Sequence, residues 1–365
     1  MTKRVVLAMS GGVDSSVAAA LLKESGHDVV GLFMRTGADV ETERKAKTCC
    51  SAVDALDAQN VADRLDIPFY VLDFERDFAR IQEYFADEYL AGRTPNPCAV
   101  CNIWLKFGKL WDYGRKVGAG LVATGHYARV VTAPDGTPRV ARGIDRAKDQ
   151  SYVLFGLTPE ILPSVLLPIG DYSKDQIRRI ARERGLPVHD KPDSQEICFI
   201  PDDDYLRFVR GRRPLADDRG GEIVDTDGRR LATHAGVEAF TIGQRRGLGL
   251  AVGEPRYVVS IEPLSRTVTV GPRTALASAG LEASRFNWQG PAPEPGRPLA
   301  CFAQIRARHQ AVPATVLALE HGRARVVFES PQPAVAPGQI ITVYEGDLVL
   351  GGGWIDQAIP DIDHS

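Results

Sequence analysis

The sequence predicts an α/β N-terminal domain on a doubly wound parallel sheet, followed by an all-β region ending in a small barrel. Three observations carry that reading. Short β-branched runs alternate with helical stretches to about residue 200, as in parallel βαβ units. A turn rich in glycine and serine, Met9-Ser10-Gly11-Gly12-Val13-Asp14-Ser15-Ser16, joins the first strand to the first helix. Beyond about Pro201 the helical period fades, and short apolar runs stand between glycines and prolines.

The apolar run 4–8 predicts a buried strand, 16–24 a helix stopped by Gly26, and 29–34 a second strand. A helix is expected over 53–65, with Val53, Leu56, Asn60, Val61 and Leu65 on one side, then a strand over 67–73. Helices over 78–89 and 104–117 flank the turn-rich segment 94–102, and the strand 121–124 ends at Gly125-His126. Residues 163–170 read as a loop before a helix over 175–184. In the β region, 257–261 and 267–270 form a hairpin and 290–298 a proline-rich connector. Strands over 300–305, 314–319, 324–328, 340–344 and 348–350 have the spacing of a small barrel. Ligands of doubly wound sheets bind at the carboxyl ends of the strands. The glycine turn, Met34, Gly125 and His126 all fall at that edge.

At 365 residues the chain is long enough for two or three domains, and 44% hydrophobic with 25% charged residues is an ordinary globular composition. No apolar run is long enough to span a membrane, and the N-terminus enters a core strand at once, so the expectation is a cytoplasmic protein without a leader. A net charge of −3 does not by itself announce a polyanion partner. Six cysteines (Cys49, Cys50, Cys98, Cys101, Cys198 and Cys301) in such a chain predict thiols rather than a disulfide scaffold.

The glycine turn opens a helix whose unpaired N–H groups and positive dipole end make an anion site. Gly11 and Gly12 let backbone approach a phosphate, and Ser10, Ser15 and Ser16 supply hydroxyls. It matches neither the P-loop nor the dinucleotide fingerprint. Asp14 would repel a phosphate unless a cation such as Mg2+ lay between them. The turn resembles the pyrophosphate-binding loop of ATP pyrophosphatases, which cleave ATP between the α- and β-phosphates.

Cys98 and Cys101 form a Cys-x-x-Cys in Thr94-Pro95-Asn96-Pro97-Cys98-Ala99-Val100-Cys101-Asn102. The pattern fits a redox dithiol, half of a zinc site or part of an iron–sulfur site. Its place in a loop after two prolines weakens a thioredoxin-like reading. Cys198, between Ile197 and Phe199, reads equally as a third functional thiol or a small core residue. Cys49 and Cys50 near a helix start, and Cys301 in a strand, read as structural.

Taken together, the motifs make the chain similar to tRNA-specific 2-thiouridylases. The resemblance runs through the turn, Leu32-Phe33-Met34, Cys49-Cys50-Ser51, Thr94–Pro97, Cys101-Asn102 with Lys106-Phe107, and Thr124–Arg129. It continues in Lys148–Tyr152, Asp193–Gln195, Ile197–Ile200, Thr241–Arg245, Ile305-Arg306, Pro337–Gln339 and Leu350–Gly353. It implies an adenine nucleotide α-hydrolase-like domain over 1–203, a small central β-rich tRNA-binding domain over 204–275, and a C-terminal β-barrel over 276–365. ATP would be held by Ala8, Met9, Ser10, Gly11, Gly12, Val13, Asp14, Ser15, Met34 and Gly125. Cys198 would carry a persulfide and Cys101 release its sulfur. Asn96, Pro97 and Cys98 would surround the target base, while His126, Lys148, Asp149, Gln150, Arg306, Ala307 and Gln339 would contact tRNA. A persulfide or sulfide donor protein, such as a cysteine desulfurase or sulfur relay, is the implied partner.

One departure stands out: many relatives carry Asp where this chain has Cys98. Cys98, Cys101 and Cys198 could therefore hold an iron–sulfur cluster, or leave the persulfide route intact with Cys98 as proton donor or bystander. Two rival functions are an amidotransferase-type ligase acting on a small molecule and a non-catalytic RNA-binding or metal-bound redox protein. The first has no use for three thiols and a β module, and the second none for the glycine turn.

Overall fold

A computed structural model describes residues 3–37, 51–192, 197–200, 202, 204–213, 219–250 and 253–361. Cys49, Cys50 and the motif 193–195 lie outside them.

The N-terminal sheet is parallel. Its strands are β1 (Arg4–Ala8), β2 (Asp28–Arg35), β3 (Phe69–Asp73) and β4 (Leu121–Ala123). A hairpin, β5 (Ala128–Thr132) and β6 (Pro138–Arg142), then leaves the sheet before β7 (Val165–Leu166) rejoins it, in the order β3-β2-β1-β4-β7. β1 shows why its sequence is apolar throughout. Val5 and Leu7 share a core with helices α1 (Val13–Glu24) and α2 (Ala52–Arg64), while Val6 belongs to the opposite core, with Phe78 and Ile81 of α3 (Glu75–Leu90). A strand covered on both faces alternates between two cores, so alternation in hydrophobicity disappears.

Several elements depart from expectation. The expected loop at 163–170 contains β7, a two-residue strand hidden between Pro163 and Pro168. The inward face of α2 is Asp54, Ala58, Val61 and Ala62, and Val53 and Leu56 are exposed. Asp54 turns inward because it closes a capping box with Ser51 and pairs with Lys191. The segment expected to be a loop around the Cys-x-x-Cys is helical: α4 (Pro97–Cys101) runs into a π-helical stretch, Asn102–Lys109, and then α5 (Leu110–Lys116). Pro97 occupies the first helical position, where its missing N–H costs nothing, and Asn96 caps the turn by accepting from Ala99 N at 3.0 Å.

After α6 (Lys174–Glu183), a helix the fading period concealed, α7 (Tyr205–Arg212), precedes a four-stranded sheet. That sheet orders β10 (Tyr257–Glu262), β11 (Thr267–Gly271), β8 (Gly221–Val224) and β9 (Arg230–His234), and the expected hairpin is β10–β11. The C-terminal strands are β12 (Ala277–Trp288), β13 (Pro298–Gln304), β14 (Val312–Leu319), β15 (Arg323–Pro333), β16 (Ile340–Glu345) and β17 (Leu348–Pro360). Their order β12-β15-β14-β13-β16-β17, with β12 pairing β17, closes a six-stranded barrel. β6 also pairs with β17, so a hairpin of the first domain extends the barrel sheet.

Candidate active site

The glycine turn leaves β1 and enters α1 as expected. Gly11 has φ +71°, and a Cβ there would strike the carbonyl of Asp54. Gly12 is the N-cap and offers no side-chain cap, so the first N–H groups of α1 remain for a ligand. Ser15 Oγ accepts from Ser10 N at 3.2 Å and Ser16 Oγ donates to the Gly12 carbonyl at 2.8 Å, which fixes the turn's shape. Gly125, past the end of β4, seats directly on the turn: a Cβ would lie 2.8 Å from Ser15 N. Beside it, the buried hydroxyl of Thr124 has no hydrogen-bond partner among the described residues. An orphaned buried hydroxyl at a ligand edge fits a nucleotide better than a finished core.

Asp14 meets a resident cation. Lys174 Nζ donates to both carboxylate oxygens, at 2.8 and 2.9 Å, and Tyr127 OH donates to Oδ1 at 2.7 Å. The ammonium is nearly buried, with 11% of its side chain exposed, so solvent screens this pair little. Lys174 thus supplies a protein charge that offsets the repulsion expected between Asp14 and a phosphate. A second lysine, Lys191, donates to the Gly11 carbonyl at 3.0 Å and to Asp54 and Asp57 at 2.6 Å each. Burial pulls its pKa down, but the hydrogen bonds to Asp54 and Asp57 prevail and hold it above the ordinary value.

The thiols are placed unequally. Cys98, in the first turn of α4, is exposed, whereas Cys101 and Cys198 are half-buried against the same core that covers one face of the sheet. Phe199 anchors the Cys198 segment, meeting Phe78, Phe85 and Phe208 at centroid distances of 5.7, 5.3 and 4.9 Å. Among the described residues no group of three His, Cys, Asp or Glu side chains is arranged to hold a metal. Cys98, Cys101 and Cys198 form no such group in this arrangement. One thiol faces solvent while two rest on the core.

Behind Cys101 lies a buried polar network. Gln150 Oε1 accepts from Tyr127 N at 3.0 Å and lies 3.1 Å from His126 Nδ1. A backbone N–H can only donate, so the amide atom is oxygen and Nδ1 carries the proton. Nε2 is then the acceptor for Lys106 Nζ at 3.3 Å; Asn102 Oδ1 lies 3.1 Å from Nε2, and Lys106 bridges the two acceptors by also donating to that oxygen at 2.9 Å. Burial first, then the Lys106 charge, lowers the His126 pKa to about 3, so the ring is neutral at physiological pH.

Residues 3–202 match the family described as tRNA methyl transferase HUP domain, 212–272 the tRNA methyl transferase PRC-barrel domain, and 278–355 the aminomethyltransferase beta-barrel domain. The chain is 49% identical to the tRNA-specific 2-thiouridylase MnmA of Geotalea uraniireducens (strain Rf4), over 98% of this chain and 96% of that one. It is 47% identical to the protein of the same name from Rhodopirellula baltica, over 98% of each. The chain belongs to the tRNA-specific 2-thiouridylase family.

The positions that this 2-thiouridylase resemblance assigns to tRNA fall into two kinds. Asn96 and Gln339 meet, Nδ2 to Oε1 at 3.3 Å, and Arg306 and Ala307 are exposed on a turn whose carbonyls Gln304 holds. Gln150 is exposed and Lys148 half-buried. His126 and Asp149 instead face inward. Asp149 accepts from Arg142 at 2.9 Å, from Gly143 N and from Ser151, and only 6% of its side chain is exposed. Ala8, Met9 and Met34 lie along the loop edge, with Met9 N bonded to the Leu32 carbonyl.

Sequence reading missed Lys174, Lys191, Tyr127, Asn102 and Lys106 as parts of the site. Lys174 carried a signal: it is the first residue of α6, where a lysine opposes the helix dipole. A charge placed against local preference points to a partner elsewhere.

Proposed function

We propose that the chain is an ATP-dependent tRNA-uridine 2-sulfurtransferase acting on C2 of the wobble uridine. The observation that carries this reading is one polar network, through Tyr127 and His126, joining the turn at Asp14 to the helix of Cys101. Loop residues Ala8–Ser15, with Met34 and Gly125, would hold ATP; the open end of α1 and the Thr124 hydroxyl suit a phosphate or sugar ligand. Mg2+ would arrive as part of the MgATP substrate.

The uridine C2 oxygen attacks the α-phosphorus, and the α–β bond breaks with release of pyrophosphate. Oxygen at C2 thereby becomes the leaving group AMP. The terminal sulfur of a Cys198 persulfide attacks C2. Cys101 then attacks the Cys198 sulfur, the S–S bond of the persulfide breaks, and a Cys101–Cys198 disulfide forms as AMP departs. A thiol reductant resets that disulfide, and a cysteine desulfurase or sulfur relay reloads Cys198. Thiolates perform both attacks. Asn96, Pro97, Cys98, Lys148, Gln150, Arg306, Ala307 and Gln339 would form the tRNA side, with His126 and Asp149 bracing it from within, taking the base out of its stack. No helix among the described residues is long and apolar enough to cross a membrane.

Asp14→Ala tests the loop. Pyrophosphate release with tRNA should vanish in a variant that keeps its fold, and full activity would sink the assignment. Pyrophosphate release that ignores tRNA and needs a small amine would favour the ligase rival.

A further inference from the structure

Gln150 has two differently employed ends. Its Oε1 accepts from Tyr127 N at 3.0 Å and from His126 Nδ1 at 3.1 Å, while its backbone N donates to the Tyr127 carbonyl at 2.9 Å. The residue is exposed, and its amide nitrogen has no hydrogen-bond partner among the described residues. From the inward oxygen two arms diverge. Tyr127, clamped at its backbone, reaches Asp14 with its hydroxyl at 2.7 Å. His126 reaches Lys106, which holds Asn102, the neighbour of Cys101.

We propose that Gln150 is a positioning residue that couples tRNA occupancy to the nucleotide site: a tRNA acceptor on its outward amide nitrogen holds its inward oxygen on Tyr127, and Tyr127 holds Asp14. The inference rests on the tRNA sulfurtransferase reading and adds a coupling residue to it. An acceptor on the nitrogen restricts rotation of the amide, so the arrangement that buttresses Asp14 gains population. Because the same oxygen holds His126, the cysteine helix is set by the same event. Linkage requires the effect to be reciprocal: nucleotide at the loop must tighten tRNA by the factor by which tRNA tightens nucleotide.

The test is equilibrium binding of α,β-methylene-ATP with Mg2+, with and without saturating unmodified tRNA. Without cleavage, affinity alone is read. For the wild type, tRNA is expected to tighten the analogue by at least about fivefold, the lower end of ordinary coupling. In Gln150→Leu the ratio should fall to within about twofold of unity. A merely structural role would weaken the analogue with and without tRNA alike and leave the ratio unchanged. Tyr127→Phe keeps the ring and the Gln150 contact and removes only the hydroxyl on Asp14; it should give the same loss of coupling, and it decides the matter if Gln150→Leu does not fold. Wild-type coupling in either folded variant overturns the inference, as does a wild type that binds both ligands independently. A wild type that binds neither ligand would instead overturn the sulfurtransferase reading.

Discussion

Asn96, at the head of the cysteine helix, and Gln339, on the barrel, hold each other across the seam between their domains. Asn96 Nδ2 donates to Gln339 Oε1, and Gln339 Nε2 donates to the Pro95 carbonyl, both at 3.3 Å. Thr94 N adds a bond to the Pro337 carbonyl at 2.8 Å. The barrel therefore sets the position of the turn that presents Cys98 and Cys101.

Gln339→Ala removes two neutral hydrogen bonds, together worth about 1–3 kcal/mol. Thiolation turnover should fall about tenfold, while affinity for an ATP analogue stays within about twofold. Steady-state thiolation beside equilibrium nucleotide binding checks the pair.

Lys174→Met leaves the Asp14 carboxylate without its cation beside an incoming triphosphate. Hydrogen bonds to charged groups are worth about 1.5–3 kcal/mol, so ATP should bind at least about tenfold more weakly, and Lys174→Arg should recover part of the loss. Titration calorimetry measures this, and unchanged affinity in Lys174→Met would show that Asp14 needs no such partner.

His126 gives a pH signature with a definite sign. Its pKa is lowered to about 3 in the fold against an ordinary 6.5, so its unfolded form takes up a proton that the native form refuses. Its contribution to stability is present above pH 6.5 and is lost as pH falls toward 3, at about 1.4 kcal/mol per unit. Between pH 7.5 and 5.5 the wild type should lose about 1.4 kcal/mol more than His126→Gln in denaturant titrations.

Thiol reactivity should follow burial. Cys301 is buried in β13, and burial raises its pKa to about 12, whereas Cys98 is exposed. Iodoacetamide on the native chain should label Cys98 first and reach Cys301 only after unfolding. Peptide mass spectrometry of timed samples reads the order.

Much of this architecture is written in local sequence. The glycine turn and the apolar runs of β1, β2 and β4 are legible because their chemistry is nearly self-contained: buried parallel strands are apolar throughout, and a phosphate turn needs its glycines. The cysteine segment was misread as a loop because two prolines look like breakers. One of them sits where a helix accepts proline, and Asn96 supplies the cap. Strand β12 begins with small residues, Ala-Ser-Ala-Gly, that carry no β signature, and it owes its conformation to pairing with β15 and β17.

The site was half legible. Asp14, Cys101 and Cys198 announce themselves by motif, but the lysine that neutralises Asp14 lies 160 residues away in sequence. Contacts of that kind belong to the tertiary fold, and no local window holds them. The inward turn of His126 was hidden for the same reason: its partner Lys106 comes from another element, 20 residues earlier.

The most direct measurement is nucleoside mass analysis of tRNA incubated with iron-free protein, ATP, Mg2+ and a persulfide donor, with AMP and pyrophosphate counted alongside. The account predicts 2-thiouridine at the wobble position, with one AMP and one pyrophosphate per sulfur, lost in Cys198→Ser and in Asp14→Ala. No 2-thiouridine from the iron-free protein, with activity appearing only after iron and sulfide are loaded, would contradict the thiol route and return Cys98, Cys101 and Cys198 to a shared cluster.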